Sequence, residues 1–276
     1  MDVVETEAAK IRTELPQSTR DYIFRRMKTV KGYLDPVDAL MISTILAAQS
    51  NANFKGSVAE IGVYFGRSFL LMAGLLRPGE HAFAADLFDI GTRSGGDSVQ
   101  LASFVASGER LGIPIDRNMI FAGNSRTLNA ETIVSKAGTL RFINIDGGHL
   151  LADVESDAGL AKATTADFGV LCFDDFCNPE WPEVTLGVFN FLRANASRFA
   201  AFALSQKKIF ICQTRYLDLY KSTVEHAPAL RSIRRMEVNI LGRSAVHLRG
   251  TRLERIRYEI LARTGLGSLN AFFYRQ

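Results

Sequence analysis

Two apolar segments in the middle of the chain stop at acidic residues, and these residues have the clearest capacity for chemistry. Asp146 follows one segment, with His149 three positions later, and Asp174 and Asp175 follow the other. Carboxylate oxygens are the ligands that hard divalent cations prefer, and a neutral imidazole can accept a proton near neutral pH. The sequence therefore predicts a cation site beside a proton acceptor.

Short apolar strands alternate with helical segments around these residues. The pattern predicts helices near 68–76, 99–111, 151–163 and 183–194, and strands at 58–63, 82–86, 119–122, 140–145, 168–173, 199–204 and 208–212. The last two strands flank a polar tetrapeptide, which predicts a hairpin. We therefore expect an α/β fold, with a doubly wound, mostly parallel, seven-stranded sheet and an antiparallel edge hairpin. In such a sheet, ligands bind in the crevice beyond the carboxyl ends of the strands.

Polar or glycine residues also follow the first three predicted strands. Gly62 and Gly66 form a turn between a strand and a helix, where the backbone can approach a ligand closely. Asp86 ends the next strand, in a position where a carboxylate can accept both hydroxyls of a ribose. Asn124 and Ser125 follow the third strand and can meet the edge of an adenine. The glycine spacing differs from the Gly-x-Gly-x-x-Gly of nicotinamide-dependent enzymes, which disfavours that class.

Five short motifs occur in the order expected for one known family. They are Glu60-Ile61-Gly62-Val63-Tyr64-x-Gly66-x-Ser68, Asp86-Leu87-Phe88-Asp89, Gly123-Asn124-Ser125, Ile145-Asp146-Gly147-Gly148-His149 and Asp174-Asp175-Phe176. Together they resemble the class I S-adenosylmethionine-dependent methyltransferases, and among these the macrocin-type sugar O-methyltransferases. The resemblance covers about residues 30–215 and implies a Rossmann-like fold with S-adenosylmethionine as the cofactor.

The resemblance implies a cofactor-binding role for six residues. These are Glu60 and Gly62 at the methionine moiety, Ser68 near it, Asp86 at the ribose, and Asn124 and Ser125 at the adenine. Relatives commonly have an aspartate at the position of Asn124.

The resemblance also implies a metal-dependent catalytic site. Asp146, Asp174 and Asp175 match the carboxylates that bind Mg²⁺ or another divalent cation in sugar and catechol O-methyltransferases. Asp146 and His149 are the predicted catalytic residues. His149 is favoured as the base because Gly148 stands where some sugar-modifying relatives have an aspartate.

The predicted activity is metal-dependent transfer of a methyl group to a hydroxyl of a small acceptor, either a glycoside or a nucleotide sugar. Two other interpretations stay open. A catechol or another phenol is an alternative acceptor, since the same three carboxylates serve both reactions. A non-catalytic adenosyl-binding protein with a basic interaction tail is the other, although a mere binding protein has no need of the acidic residues and His149.

The composition is that of an ordinary globular protein, with 47% hydrophobic and 22% charged residues. No apolar run is long enough to span a bilayer, and the acidic N-terminus does not resemble a secretory signal, so we expect a cytoplasmic protein. We divide the chain into an N-terminal helical segment (1–50), an S-adenosylmethionine-binding core (51–213) and a basic C-terminal extension (214–276). The oligomeric state is open, a homo-oligomer included.

The C-terminal extension is not expected to bind nucleic acid. It carries 12 Lys+Arg and 5 Asp+Glu, a net charge of +7, but its arginines are scattered and lack interleaved aromatic residues. In fluorescence anisotropy at physiological ionic strength, the full chain should therefore show no submicromolar affinity for a generic DNA duplex. A submicromolar affinity that falls steeply with added salt, as counter-ion release requires, would contradict this expectation.

Overall fold

One continuous β-sheet organises the protein. The computed structural model describes residues 14–91, 97–250 and 252–273, and residues 1–13 of the predicted N-terminal segment lie outside them. Within these ranges nine strands pair in the order β3-β2-β1-β4-β5-β7-β6-β9-β8. The strands are β1 Ser57–Ile61, β2 Ala82–Asp86, β3 Ile120–Ala122, β4 Leu140–Ile145, β5 Thr165–Phe173, β6 Phe199–Leu204, β7 Ile209–Gln213, β8 Arg234–Ile240 and β9 Arg243–Arg249.

Helices cover both faces of this sheet, as the alternating sequence pattern predicts. The α-helices are α1 Gln17–Asp21, α2 Pro36–Asn51, α3 Arg67–Ala73, α4 Val99–Leu111, α5 Ala130–Ala137, α6 Leu151–Thr164, α7 Pro182–Ala194, α8 Leu217–His226, α9 Arg252–Arg263 and α10 Asn270–Phe273. Every residue of β1, β4, β6 and β7 is buried, because neighbours cover the strands on both sides. Alternate strand residues therefore enter two separate apolar cores, one of which contains α2 and the other α7.

The predicted number of strands and the predicted edge were wrong. The hairpin of β6 and β7 does not close the sheet, because β6 also pairs in parallel with β9 through Ala203 and Leu204. A second hairpin, β8–β9, extends the sheet to nine strands and places β8 at the edge. The strand β7 still runs antiparallel to both of its neighbours, so the sheet is mixed within a largely parallel frame.

The first and last described segments of the chain contact each other. The hydroxyl of Tyr258 in α9 donates to the carbonyl of Ile23, and Lys28 pairs with Glu259. The sheet therefore crosses the predicted boundary between the core and the C-terminal extension, and these contacts join the extension to the N-terminal segment. Across the described part of the chain, we find no helix with the length and apolarity needed to cross a membrane.

Gly62 allows the ends of β1 and β4 to approach each other closely. Its φ angle is +84°, and a Cβ atom at this position would lie 1.7 Å from the carbonyl oxygen of Asp146. The amide of Asp146 in turn donates to the carbonyl of Ile61, at 2.7 Å. Glycine is therefore required here by backbone packing, whatever ligand the turn also meets.

Gly62→Ala should lower the free energy of unfolding by more than about 3 kcal/mol, because the new methyl group overlaps a backbone atom held by the sheet. Gly79→Ala is the matched control, since Gly79 has a φ of +83° but no atom within 4 Å of the added Cβ. The control should lose only about 1–2 kcal/mol, the cost of the left-handed conformation. If urea unfolding shows the same loss of free energy for Gly62→Ala and Gly79→Ala, the contact with Asp146 is unimportant for stability.

Candidate functional site

A cavity of about 1140 Å³ opens beyond the carboxyl ends of the central strands. The predicted site residues that line it are Gly62, Ser68, Asp86, Asn124, Ser125, Asp146, His149, Asp174 and Asp175. Lys28 and Tyr33 line it from the N-terminal side, and Glu259 and Arg263 line it from α9. Residues before β1 and in α9 thus form part of the same wall as the strand ends. The cavity exceeds the size range of most single-ligand pockets, so it has room for two small molecules.

The carboxylate of Asp86 is largely occupied by the protein itself. Its Oδ2 accepts a hydrogen bond from the amide of Tyr64 at 2.8 Å, and its Oδ1 accepts from the amide of Phe88 at 2.8 Å and from Gln100 at 3.0 Å. Tyr64 and Phe88 both have positive φ angles. A carboxylate has about four acceptor positions, so Oδ2 alone retains one for a ligand. The structure therefore leaves room for one contact rather than the two expected for a ribose.

Gln100 is a residue that the sequence analysis missed. It is buried at the start of α4, and its amide nitrogen donates both to Asp86 and to the carbonyl of Tyr64, at 2.9 Å. These bonds tie the turn after β1 to the loop after β2. A lone glutamine carries no motif, so only the folded structure reveals this role.

The adenine-side residues lie at the rim of the cavity. Asn124 is exposed, and its side-chain oxygen accepts a hydrogen bond from the amide of Arg126 at 3.0 Å. Ser125 is half-buried beside it. Asn124 therefore caps the turn that follows it through its side-chain oxygen. Its side-chain nitrogen takes no part in that hydrogen bond. Ser68, in the first turn of α3, is buried and lines the inner part of the cavity.

Glu60 lies beneath the cavity rather than in its wall. It is fully buried on β1, and its Oε1 accepts a hydrogen bond from the side-chain amide of Asn144 at 2.5 Å. Its Oε2 has no hydrogen-bond partner among the described residues. Burial raises the pKa of Glu60 to about 7, and the hydroxyl of Ser68 and the amide of Asn144 oppose that rise.

A buried lysine lies among the carboxylates. The Nζ of Lys208 is 2.7 Å from Oδ2 of Asp174, and 3.4 Å from the side-chain oxygen of Asn144. Asp146 is close to this pair: burial, and then the charge of Asp174, raise the pKa of Asp146 well above its usual range. Lys208 was not a predicted site residue, because a lysine in a polar tetrapeptide ordinarily points into solvent.

Asp38 is an acidic residue that the sequence analysis also missed. It is buried in the first turn of α2 and lines the cavity. Its Oδ1 has no hydrogen-bond partner among the described side chains and backbone groups. Burial raises the pKa of Asp38 to about 7, opposed by the charge of Lys208.

His149 is held between two neighbours on the other side of the cleft. Its ring stacks on Trp181, with centroids 4.3 Å apart and an interplanar angle of 14°. Its Nε2 lies 3.1 Å from Oδ2 of Asp175. The angles of this contact are not those of a hydrogen bond, so Nε2 has no hydrogen-bond partner among the described residues. The His149 ring, followed by Asn178, holds the pKa of Asp175 below its usual range despite partial burial.

The residues that converge as potential metal ligands differ from the predicted trio. One donor atom each from Asp146, His149 and Asp175 lie within 4.8 Å of one another, and Asp174 is not in this group. Asp174 instead faces Lys208. Two carboxylates and a nitrogen with no hydrogen-bond partner are a donor set that suits a divalent cation.

Comparison with known proteins places this site within a recognised domain. Residues 59–176 match the family model described as a methyltransferase domain. This part of the chain is similar to methyltransferase domains. The match spans rather less than half of the chain, and it contains every residue predicted for the cofactor and cation sites. The predicted resemblance to methyltransferases is thereby confirmed, whereas Asp38, Lys208 and both terminal segments lie outside the matched region.

Solved structures extend the similarity of the fold beyond the methyltransferase domain. The O-methyltransferase NovP is 14% identical, with a TM-score of 0.54 over 67% of this chain and 84% of its own. CalS11, a TDP-rhamnose 3'-O-methyltransferase of calicheamicin biosynthesis, is 16% identical, with a TM-score of 0.51 over 77% and 95%. An O-methyltransferase from Bacillus cereus in complex with SAH is 15% identical, with a TM-score of 0.50 over 76% and 97%. No curated protein matches the chain. At these identities the likeness shows a shared fold.

Glu60→Gln should make the stability of the protein less dependent on pH. The folded-state pKa of about 7 lies above the ordinary value of 4.5, so stability is lost as pH rises from 4.5 to 7. Removing that ionisation should recover about 2–4 kcal/mol of unfolding free energy at pH 8 and much less at pH 5. Urea unfolding at both pH values, with the exposed Glu109→Gln as control, measures the difference. Parallel pH profiles for wild type and Glu60→Gln would refute the assignment.

Proposed function

We propose that this protein transfers the methyl group of S-adenosylmethionine to a hydroxyl group of a small, sugar-containing acceptor, with the help of a divalent cation. One observation carries the proposal: the residues suited to an adenosyl cofactor and those suited to activating a hydroxyl line the same cavity. The first set follows β1, β2 and β3, and the second follows β4 and β5. A methyl donor and an acceptor bound in these two halves would meet over the centre of the sheet.

The cofactor half supports an adenosyl ligand. Asp86 has one free acceptor position for a ribose hydroxyl on Oδ2, and its other positions hold Tyr64 in the glycine turn, Phe88 in the loop after β2 and Gln100 in α4. Asn124 and Ser125 border the place of the adenine. Ser68 and the turn at Gly62 border the place of the methionine moiety, over the buried Glu60. We assign Glu60 to the support of this turn, since it does not line the cavity.

Asp146 and Asp175 would hold the divalent cation, which when bound would orient the acceptor hydroxyl and lower its pKa. Mg²⁺ suits carboxylate oxygens, and Mn²⁺ is the natural alternative because a histidine nitrogen lies within reach. The observation that supports this assignment is that one donor atom each of Asp146, His149 and Asp175 lies within 4.8 Å of the other two.

His149 is the proposed proton acceptor for the acceptor hydroxyl. Stacking on Trp181 and proximity to Asp175 restrict its ring to one orientation, which a base needs if it is to act at one oxygen atom. Asp175 also carries a negative charge that stabilises the imidazolium formed when His149 takes the proton. The oxygen then attacks the methyl carbon in line with the departing sulfur, so alignment is the remaining task of the cavity.

A sugar-containing acceptor fits the shape and the lining of the remaining space. The cavity extends past the strand ends to Tyr33 and Trp181, both exposed aromatic residues on which a sugar ring can stack. The solved structure of CalS11 is that of a TDP-rhamnose methyltransferase with the same fold. A glycoside or a nucleotide sugar is therefore the acceptor that we propose.

Methyl transfer from labelled S-adenosylmethionine to a panel of nucleotide sugars, glycosides and catechols tests the proposal. His149→Ala should lower turnover by roughly 10²–10⁴-fold, the usual contribution of a positioned base, with SAH affinity largely unchanged in calorimetry. His226→Ala is the matched control, because His226 is exposed at the end of α8 and outside the cavity. Chelation of divalent cations should lower turnover, and added Mn²⁺ should restore it.

Several results would contradict the proposal, each in a different part. Failure to bind SAH would reject the cofactor, and full turnover after chelation would reject the cation. Transfer to catechols alone would reject the sugar acceptor. SAH binding without transfer to any acceptor would favour the non-catalytic adenosyl-binding protein. A His149→Ala variant that loses Mn²⁺ affinity would make His149 a metal ligand instead of a base.

A further inference from the structure

Lys208 occupies a position that is unusual for a lysine. It ends a tight turn in which the amide of Ser205 donates to the carbonyl of Lys208 at 2.9 Å and the amide of Lys208 donates to Oγ of Ser205 at 3.0 Å. The turn directs the side chain inward, and only 2% of it is exposed. Lysine is almost never fully buried unless a partner neutralises its charge.

The partner of Lys208 is Asp174. The distance of 2.7 Å between Nζ and Oδ2 is that of a charge-assisted hydrogen bond. A second, longer contact at 3.4 Å reaches the side-chain oxygen of Asn144, whose nitrogen donates to Glu60. A buried polar chain therefore runs from Glu60 through Asn144 and Lys208 to Asp174, under the floor of the cavity.

The ammonium group of Lys208 is charged in this environment. Burial by itself lowers the pKa of Lys208, but the charge of Asp174, with those of Asp146 and Asp38, raises it well above the usual range. Asp38 and Asp146 face the same ammonium group, and burial raises the pKa of each carboxyl. Lys208 is thus a fixed positive charge surrounded by acidic side chains.

This positive charge competes with a metal ion for Asp174. The Oδ2 of Asp174 is already paired with the ammonium group of Lys208. The Oδ1 of Asp174 accepts a hydrogen bond from the backbone amide of Asp175 at 2.9 Å. The converging donor atoms come from Asp146, His149 and Asp175 instead. We propose that Lys208 is a positioning residue that withdraws Asp174 from the cation site, so that Asp146 and Asp175 alone supply its carboxylate ligands.

The consequence is a weaker and more exchangeable cation site, within the proposed function on which this inference rests. The charge and number of carboxylate ligands set the affinity of an oxygen-rich site for divalent cations. With Asp174 neutralised by Lys208, the two remaining carboxylates balance the charge of one divalent ion. Removal of the lysine charge should free a third carboxylate and tighten the binding of the cation.

Titration of the full chain with Mn²⁺, followed by the electron paramagnetic resonance signal of the free ion, tests this assignment. Asp174→Asn/Lys208→Met, which removes both charges of the pair, should keep the Mn²⁺ dissociation constant within about threefold, whereas Asp175→Asn should raise it about tenfold or more. Lys208→Met should lower the dissociation constant about 10–100-fold, the range in which neighbours of metal ligands alter affinity. Lys208→Arg, which keeps the charge, should bind like the wild type. Circular dichroism checks the folding of each variant. If the single lysine variant does not fold, Asp174→Asn/Lys208→Met takes its place, because it removes both charges together.

The outcomes separate this inference from the proposed function. An Asp174→Asn/Lys208→Met variant that loses Mn²⁺ as strongly as Asp175→Asn, or a folded Lys208→Met variant that binds no tighter than wild type, overturns the inference. If the wild type binds no Mn²⁺, binding gained by Lys208→Met supports it, and binding by neither protein overturns it. Calorimetry with SAH on the same samples tests the proposed function independently, since the cofactor residues follow other strands.

Discussion

One buried ion pair, between Lys208 and Asp174, determines the electrostatics of the whole site. Asp38 and Glu60 are buried close to it and Asp146 is half-buried, and the positive charge of Lys208 opposes the rise that burial causes in the pKa of each of these carboxyl groups. If one partner of such a pair is removed, the other becomes an uncompensated buried charge, and the folded protein loses several kcal/mol of stability. In the proposed cation site this pair would decide which carboxylates can bind the ion, and it anchors the polar chain that runs through Asn144 to Glu60.

The parallel sheet brings these groups together, and close backbone packing keeps them there. The carboxyl ends of β1 and β4 approach until Gly62 has no space for a side chain beside the carbonyl of Asp146. On the same edge, Asp86 accepts three hydrogen bonds that join the turn after β1, the loop after β2 and the start of α4. Much of what resembles a ligand-binding motif in the sequence is therefore also the structural support that shapes the cavity.

The sequence predicted the central strands well, because each strand is a local signal. The strands 82–86, 140–145 and 199–204 are observed with the predicted bounds, since each is an apolar run with a clear end. The parallel pairing of β9 with β6 was not predicted, because it joins segments about forty residues apart and no local pattern encodes it. The burial of Lys208 and of Asp38 was also missed, since a charged residue shows its burial only after distant elements pack over it. The pairing of Asp174 with Lys208 was not predicted for the same reason.

The most direct test of this account is a crystal structure of the protein with SAH and Mn²⁺, with the metal located by anomalous scattering. The account predicts SAH over the turn at Gly62 and beside Asp86, and a Mn²⁺ peak in coordination distance of Asp146 and Asp175, with Asp174 still bound to Lys208. A peak coordinated by Asp174, with the side chain of Lys208 turned away, would contradict the assigned cation site. SAH found elsewhere than at Gly62 and Asp86 would contradict the account as a whole.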